Sequence, residues 1–347
     1  MKKRSICLLP KITSVGGPAT FQKRFIDQAA KMGIPVHFDP NRDDIGAFLV
    51  IGAPRRYLLR LVLARLQNIP VVQRLNGMNW LHRARKSGLR YSLNAELANF
   101  SIAFVRRFIA SGIIYQSPFC ENRWNEVYGK LKKSSEVIYN GVNLEEFKPS
   151  GVRMDDSLIR IMTVEGNLEH GAELGLETAM RLVLTLHEKK GRPILLQVAG
   201  NVDPAAQQWI LEKAQGFPDD VRIAFLGVVS KQKLAALEAE ATFFYSAEIQ
   251  TACPNAVLEA LSCGLPVIGF DTGALKDVVG EAGVIVPYGA DFQKLEAPDV
   301  APLVAAAEQV IGENDRFRMA ARDRAERVFP IEKITAAYVN FCLSDSK

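Results

Sequence analysis

Along most of this chain, short apolar runs alternate with longer stretches whose apolar positions recur every three to four residues. The short runs are rich in β-branched and aromatic residues and predict strands at 5–10, 35–38, 47–52, 70–75, 112–117 and 136–140. A second series follows at 159–166, 194–200, 221–227, 241–246, 265–270 and 283–287. The periodic stretches predict helices at 18–32, 56–67, 88–110 and 119–128 in the first half. In the second half they fall at 172–190, 204–216, 230–239, 254–263, 273–279, 299–311, 315–328 and 331–343. Strand and helix in this alternation specify βαβ units and parallel sheets. The period is lost at "NGVNLEEFKPSG", where Asn140, Gly141 and Pro149 mark turns, and it restarts near residue 155. The expected fold is α/β: one doubly wound, Rossmann-like domain over 1–150 and another over 151–330. Such domains bind ligands outside the carboxyl ends of their strands, so two that face each other place a site in the cleft between them.

Charge divides the chain at the same place. Residues 1–150 carry a net +14 and the remainder −9, within an overall +5. A basic first half favours an anionic partner such as a membrane surface or a phosphorylated lipid. Nucleic acid is not expected, because no recognition motif accompanies the charge. No apolar run reaches 18 residues, so no spanning helix is predicted. The opening "MKKRSICLLPKIT" reads as a first strand, because its apolar run is too short for a leader peptide. Five scattered cysteines with no C-x-x-C pair suggest neither a disulfide framework nor a metal site, and fit a reducing cytoplasm.

Two stretches carry candidate chemistry. The first is "GGPATF" after the first strand, where Gly16 and Gly17 precede Pro18 and a helix. Glycines admit close approach of a ligand to the backbone, and the free N–H groups of a helix start attract anions. No G-x-x-x-x-G-K-[ST] or G-x-G-x-x-G phosphate loop is present. The second stretch is "ACPNAVLEALSCGLPVIGFDTGALKDVVGEAG", an apolar helix pattern with one carboxylate, Glu259. A carboxylate there can accept hydrogen bonds from two vicinal hydroxyls, which matches the 2′ and 3′ positions of a ribose.

The ordered set of stretches resembles a known family. "CPNAVLEALSCGLPVIGFDTGALKDVV" looks like the donor-site signature of retaining glycosyltransferases of the GT-B fold, family 4 (glycosyl transferases group 1). "VIYNGVNLEEFKP" looks like that family's interdomain segment, "GGPATF" like its first glycine loop, and "VRIAFLGVVSKQKLAALEAEATFFYSAE" like the stretch before the signature. The resemblance implies transfer of a sugar from a UDP- or GDP-linked donor to a glycan or lipid-linked acceptor, with no metal and no cofactor. Cell-envelope polysaccharide synthesis is a setting it suggests, with the protein cytoplasmic or peripheral on the inner membrane face. It implies that Glu259 grips the ribose, that Gly16 and Gly17 lie near the donor phosphate, and that Ala252, Cys253, Asn255, Ala256 and Val257 address the donor sugar. It also implies donor contacts at Gly166, Asn167, His170, Gly227 and Val228, and a last helix, within 331–347, that packs back on the first domain.

Departures from the family pattern bear on catalysis. Thr251 stands where the family has a second glutamate, with Glu248 three residues earlier. Asn167 and His170 stand near the positions of a diphosphate-gripping Arg and Lys, and Asn76 replaces a histidine near the sugar. Asn76, Thr251 and Glu248 are therefore the candidates at the reacting sugar. A non-catalytic protein of this fold, binding a nucleotide sugar or glycan, is the alternative these substitutions motivate. The run "WLHRARKSGLRY" supplies His82, Arg83 and Arg85 as candidate acceptor contacts, with Lys86, Arg90, Arg106 and Arg107 continuing the basic character toward a lipid interface or glycan.

Overall fold

Strands form wherever the apolar runs lie, because a strand in a parallel sheet is buried on both faces and needs no polar alternation. The computed structural model describes residues 5–13, 16–85, 88–150, 157–168 and 173–344. The strands are β1 Ser5–Leu9, β2 Val36–His37, β3 Ile45–Ile51, β4 Val71–Leu75, β5 Gly112–Tyr115 and β6 Ser134–Val137, then β7 Ile159–Leu168, β8 Ile194–Val202, β9 Val221–Gly227, β10 Phe243–Ser246, β11 Val267–Phe270 and β12 Gly283–Val286. The helices of the first series are α1 Gly17–Lys31, α2 Leu58–Leu66, α3 Leu81–Ala84, α4 Leu89–Phe104 and α5 Pro118–Tyr128. The others are α6 Leu174–Lys190, α7 Pro204–Lys213, α8 Lys231–Glu240, α9 Asn255–Ser262, α10 Leu275–Val279, α11 Ala301–Gly312, α12 Asn314–Val328 and α13 Ile331–Leu343. The short α3 was not expected from the sequence. The predicted helix 88–110 is α4 running on into a π-helical turn, Val105–Ile109.

Two compact units result, Met1–Gly141 with Ile331–Lys347, and Val142–Pro330. Residues 142–150 go with the second unit. Val142 N donates to Phe329 O at 2.9 Å, and Arg322 Nη1 donates to the carbonyl of the buried Phe147 at 3.1 Å.

The first unit is a six-stranded parallel sheet in the order β2-β1-β3-β4-β5-β6. One face packs Phe21 and Phe25 of α1 with Tyr338 and Val339 of α13. The other packs Leu61 and Ala64 of α2 with Val105 and Ile109 of the π turn. Arg74 is buried in this unit: its guanidinium lies 3.8 Å from the Phe21 ring centroid, and it donates to the Tyr338 hydroxyl at 3.1 Å and to Asn76 and Asn140 Oδ1 at 2.6 Å each. A buried guanidinium is tolerable because its donors are satisfied this way.

The second unit is also six-stranded and parallel, ordered β12-β11-β10-β7-β8-β9. Read from its other edge this is the common dinucleotide-fold order 3-2-1-4-5-6, with the reversal between β7 and β10. Ligands bind at such a reversal, outside the carboxyl ends of the strands. Gly200 in β8 sits at φ +125° against the Glu165 backbone, where a side chain has no room.

Candidate functional site

At the reversal point of the second unit, the carboxyl end of β7 carries Glu165 and Gly166, and β10 leads into Glu248 and Thr251. Gly175, in the first turn of α6, lies against Ala247, and a Cβ there would stand 3.6 Å from Glu165 Oε1. The acid is thus seated beside a helix start. Glu165 is half-buried, and its carboxyl is pushed up to about 7, by burial first and then by the charge of Glu248. Glu248 reaches water on one side but is crowded by protein on the others, which raises its carboxyl; the hydrogen bond with the Thr251 side chain opposes that rise. The loop is held by its backbone: Gln250 N donates to Thr272 O at 3.1 Å and Ala274 N to Thr251 O at 2.9 Å. Gly273 fits there because a Cβ would come within 2.8 Å of Thr251 N and O.

Glu259 lies in α9 of the same unit. Val257, Leu258 and Leu261 bury one side of this helix, while Asn255, Ala256 and Glu259 are only partly covered. Spacings of three and four residues put those three on one face. Beneath them Glu238 of α8 is fully buried; its Oε2 accepts from Cys263 Sγ at 3.5 Å and its Oε1 has no hydrogen-bond partner. Burial, then the charge of Glu259, hold the Glu238 carboxyl well above its ordinary range. At the carboxyl end of β9, Gly227 at φ +63° and Val228, 81% exposed, turn the chain outward. Gly166 is exposed, Ala252 half-buried and Cys253 buried. Asn167 lies in β7 without a described side chain, and His170 lies outside the described residues.

In the first unit the glycine loop follows β1. Gly16 at φ +134° caps α1, whose first residue is the exposed Gly17, and Pro18 stands in the first turn as expected. Gln22 of α1 pins the loop, accepting from Ile12 N at 3.0 Å and donating to Pro10 O at 2.6 Å. Asn76 follows β4. Its Oδ1 accepts from Arg74 and from Gln116 Nε2, each at 2.6 Å, and its carbonyl accepts from Trp124 Nε1 at 2.8 Å. Both lone pairs of Oδ1 are thereby used, which fixes the amide plane.

His82 and Arg83, expected at an acceptor, converge on Glu96 of α4. His82 is buried with Nε2 at 2.8 Å from Glu96 Oε1, and Arg83 spans both oxygens at 2.7 and 3.0 Å. Hydrogen bonds from Arg83 foremost, and then from His82, hold the Glu96 carboxyl down at about 2. Arg85 is half-buried beyond α3, and Lys86 lies outside the described residues. Arg106 is buried, donating to Tyr115 Oη, Asn125 Oδ1 and Gly129 O, so it does not face solvent. The sequence pattern singled out neither Glu165 nor Glu238 as a site residue. Glu238 stands in an ordinary helix, and only the tertiary packing shows its proximity to Glu259. Among the described residues no helix is long and apolar enough to cross a membrane, and no group of three His, Cys, Asp or Glu is placed to hold a metal ion. All five cysteines are buried and unpaired with one another.

Two Rossmann-like α/β units on one chain are the architecture of the GT-B glycosyltransferases, and solved structures of that class superpose along nearly the whole length. Sucrose-phosphate synthase from Thermosynechococcus elongatus does so with a TM-score of 0.71, 16% identity and 97% and 98% of the two chains covered. WaaG, a glycosyltransferase involved in lipopolysaccharide biosynthesis, gives 0.68 at 14% identity, over 98% and 100%. Anabaena HepE in complex with UDP and glucose gives 0.66 at 15% identity, over 99% and 100%. The chain thus has the GT-B fold. Residues 160–311, within the second unit, match the family Glycosyl transferases group 1. The α-maltose-1-phosphate synthase of Mycobacterium tuberculosis is 24% identical over 254 residues, which are 66% of this chain and 61% of that protein.

Proposed function

We propose that this protein transfers a sugar from a nucleotide-linked donor, UDP- or GDP-borne, to a glycan or lipid-linked acceptor, with retention of configuration. The observation that carries the reading is the grouping on the second unit: Glu259 on the open face of α9, and Glu165, Gly166, Glu248 and Thr251 at the strand-order reversal of a dinucleotide-type sheet. In this reading Glu259 accepts the ribose 2′ and 3′ hydroxyls. Glu238, fully buried in α8, does not reach them. Gly227 and the exposed Val228 offer backbone and an apolar surface to the base. Ala252 and Cys253, with the α9 start at Asn255, Ala256 and Val257, address the donor sugar. Asn167 and His170 receive the diphosphate with Gly166, and Gly16 and Gly17 supply backbone N–H groups to it from the first unit.

At the reacting carbon the anomeric C–O bond to the diphosphate breaks as the acceptor oxygen bonds on the same face. The acceptor proton passes to the departing phosphate oxygen, so a protein base is not required. Asn76 donates from its NH₂ to a sugar hydroxyl. Thr251 and Glu248, linked by their side-chain hydrogen bond, stand where a lone carboxylate serves in the resembled family. A protonated Glu165 spares the diphosphate a like charge and can donate to it. His82, Arg83 and Arg85 are the acceptor-side groups of the reading, and the basic balance of residues 1–150 supports a cytoplasmic protein held on an anionic inner membrane face.

Calorimetric titration with UDP and with GDP tests it. Glu259→Ala is expected to lower the affinity for the preferred nucleotide by at least tenfold, consistent with loss of two hydrogen bonds to a charged acceptor at about 1.5–3 kcal/mol each. Unchanged affinity for both nucleotides removes Glu259 from the site. Release of free sugar or transfer above background by the purified protein excludes the non-catalytic alternative.

A further inference from the structure

Helix α4 turns large apolar side chains to water. The residues it buries include the polar Asn99 and Ser101, and Asn99 exchanges hydrogen bonds with the Asn79 backbone at 3.0 and 2.8 Å. Leu89, Leu93, Leu97, Phe100, Phe104 and, on the π turn, Phe108 are all exposed, Leu89 to 77% and Phe108 to 70%. Spacings of three and four residues hold them in one stripe roughly 27 Å long. Helix α2 adds Leu59, Leu63 and Leu66 on a second exposed stripe. The inner faces of α2 and the π turn share one core, through Leu61, Ala64, Val105 and Ile109. Their outer faces therefore look out from the same side of the first unit. Contiguous apolar surface on this scale marks an interaction site.

The charges around it choose the occupant. Between Leu89 and Ile109 the only acid is Glu96, which Arg83 already pairs. At the C-terminal end of the stripe a cavity of about 790 Å³ opens, lined by Arg65, Arg107, Phe108, Lys132 and Lys133 among others. Lys133 donates to the carbonyls of Arg106, Arg107 and Ala110 at 2.8–3.0 Å, which closes the π turn. Burial and then the neighbouring Arg65, Arg106 and Arg107 depress its amine, as in a cationic pocket without an acid. Arg65, Arg107 and Lys132 have no acidic partner among the described residues. The pocket lies at the start of β4, β5 and β6, at the edge opposite to Asn76, which follows β4. It is thus distinct from the transfer site.

We infer that this face of the first unit docks on an anionic phospholipid bilayer, with the α4 stripe lying in the interface among the acyl chains and the Arg65–Arg107–Lys132 pocket taking a lipid phosphate. A long amphipathic helix with aromatic and leucine side chains toward the lipid and cations at its border is the chemistry of interfacial binding. The inference sharpens the membrane part of the proposed function by naming the surface, and it is independent of sugar transfer.

Co-sedimentation of the full chain with phosphatidylcholine vesicles, with and without phosphatidylglycerol, tests it. Binding is expected only when phosphatidylglycerol is present, and to weaken as salt rises. Phe100→Ser with Phe108→Ser, both exposed positions, and separately Arg65→Gln with Arg107→Gln and Lys132→Gln, are each expected to weaken partitioning by on the order of a hundredfold. Circular dichroism confirms folding of each variant, and nucleotide titration on the same samples reports the transfer site separately. Absence of vesicle binding overturns the inference, as does wild-type binding by either variant set. Equal binding to pure phosphatidylcholine overturns it too. A lipid-free dimer that both Phe substitutions dissociate gives the stripe to a second copy instead.

Discussion

The two units share an architecture and differ in what they show to solvent. Among the described residues, thirteen of the exposed large apolar side chains belong to the first unit and three, Leu211, Val228 and Met319, to the second. Their charges differ in the same sense: the first half is strongly basic, and the second is acidic, with Glu165 and Glu248 close together beyond the carboxyl ends of the central strands β7 and β10. The second unit hides its apolar surface and keeps its chemistry in a backbone-held loop. The first leaves an apolar face bare and surrounds it with cations. One strand-helix plan thus serves two purposes, because the sheet cores fix the fold while the outer helix faces are free to specialise.

The sharpest way to break this contrast is through the second unit's backbone. Gly200→Ala drives a side chain into the Glu165 backbone at a φ that only glycine holds easily, and a loss of about 4 kcal/mol or more is expected. Urea unfolding followed by Trp209 fluorescence measures it. Nucleotide affinity should fall with stability, since Glu165 is displaced.

In the first unit the comparable stake is a side chain. Arg74→Met leaves the Tyr338 hydroxyl and the Asn76 and Asn140 amides without their charged donor, and is expected to cost about 3 kcal/mol in urea unfolding followed at Trp124. It also frees Asn76, so sugar transfer should fall in variants that remain folded.

An effect of similar size follows pH. Glu165 holds its proton up to about 7 in the folded chain against an ordinary value of 4.5. The folded state therefore binds the extra proton between those values. The favourable contribution is whole below 4.5 and is lost as pH rises through 7, by roughly 3 kcal/mol. Glu165→Gln should flatten that slope in thermal melts and remove a matching fall in UDP affinity between pH 6 and 8. A slope that persists in the variant assigns the proton elsewhere.

The smallest change belongs to Arg83→Ala. Its pair with Glu96 is about half exposed, so the loss should stay below about 1 kcal/mol and shrink further in salt. A larger, salt-insensitive loss shows that α3 and α4 depend on that pair more than exposed charges allow.

Much of this was legible in the chain of residues. Each predicted strand appears within a few residues of its place, since an apolar run without alternation has few other uses in a chain of this kind. Pro18 stood where a helix should begin; residues 140–151 read as a linker, and the compact units divide after Gly141, with residues 142–150 in the second through Val142 and Phe147. The basic run was less transparent. Arg106 looks from sequence like a surface cation, yet it is buried among Tyr115, Asn125 and Gly129. His82 and Arg83 look like free ligand groups, yet Glu96 binds both. Helix α4 was predicted, but not that its apolar side faces outward, because periodicity gives a stripe and not its direction.

The sequence by itself determined the order of elements, the two doubly wound units, the charge split and the placement of Glu259 on a helix, because local propensity and apolar periodicity act over a few residues. Only the tertiary structure decided that Glu238 is buried beside Glu259, that Glu165 and Glu248 meet beyond the ends of β7 and β10, that Arg74 is the first unit's buried tie and that the α4 stripe is bare. Those facts depend on which surfaces meet across tens or hundreds of residues, and on how burial changes the cost of a charge.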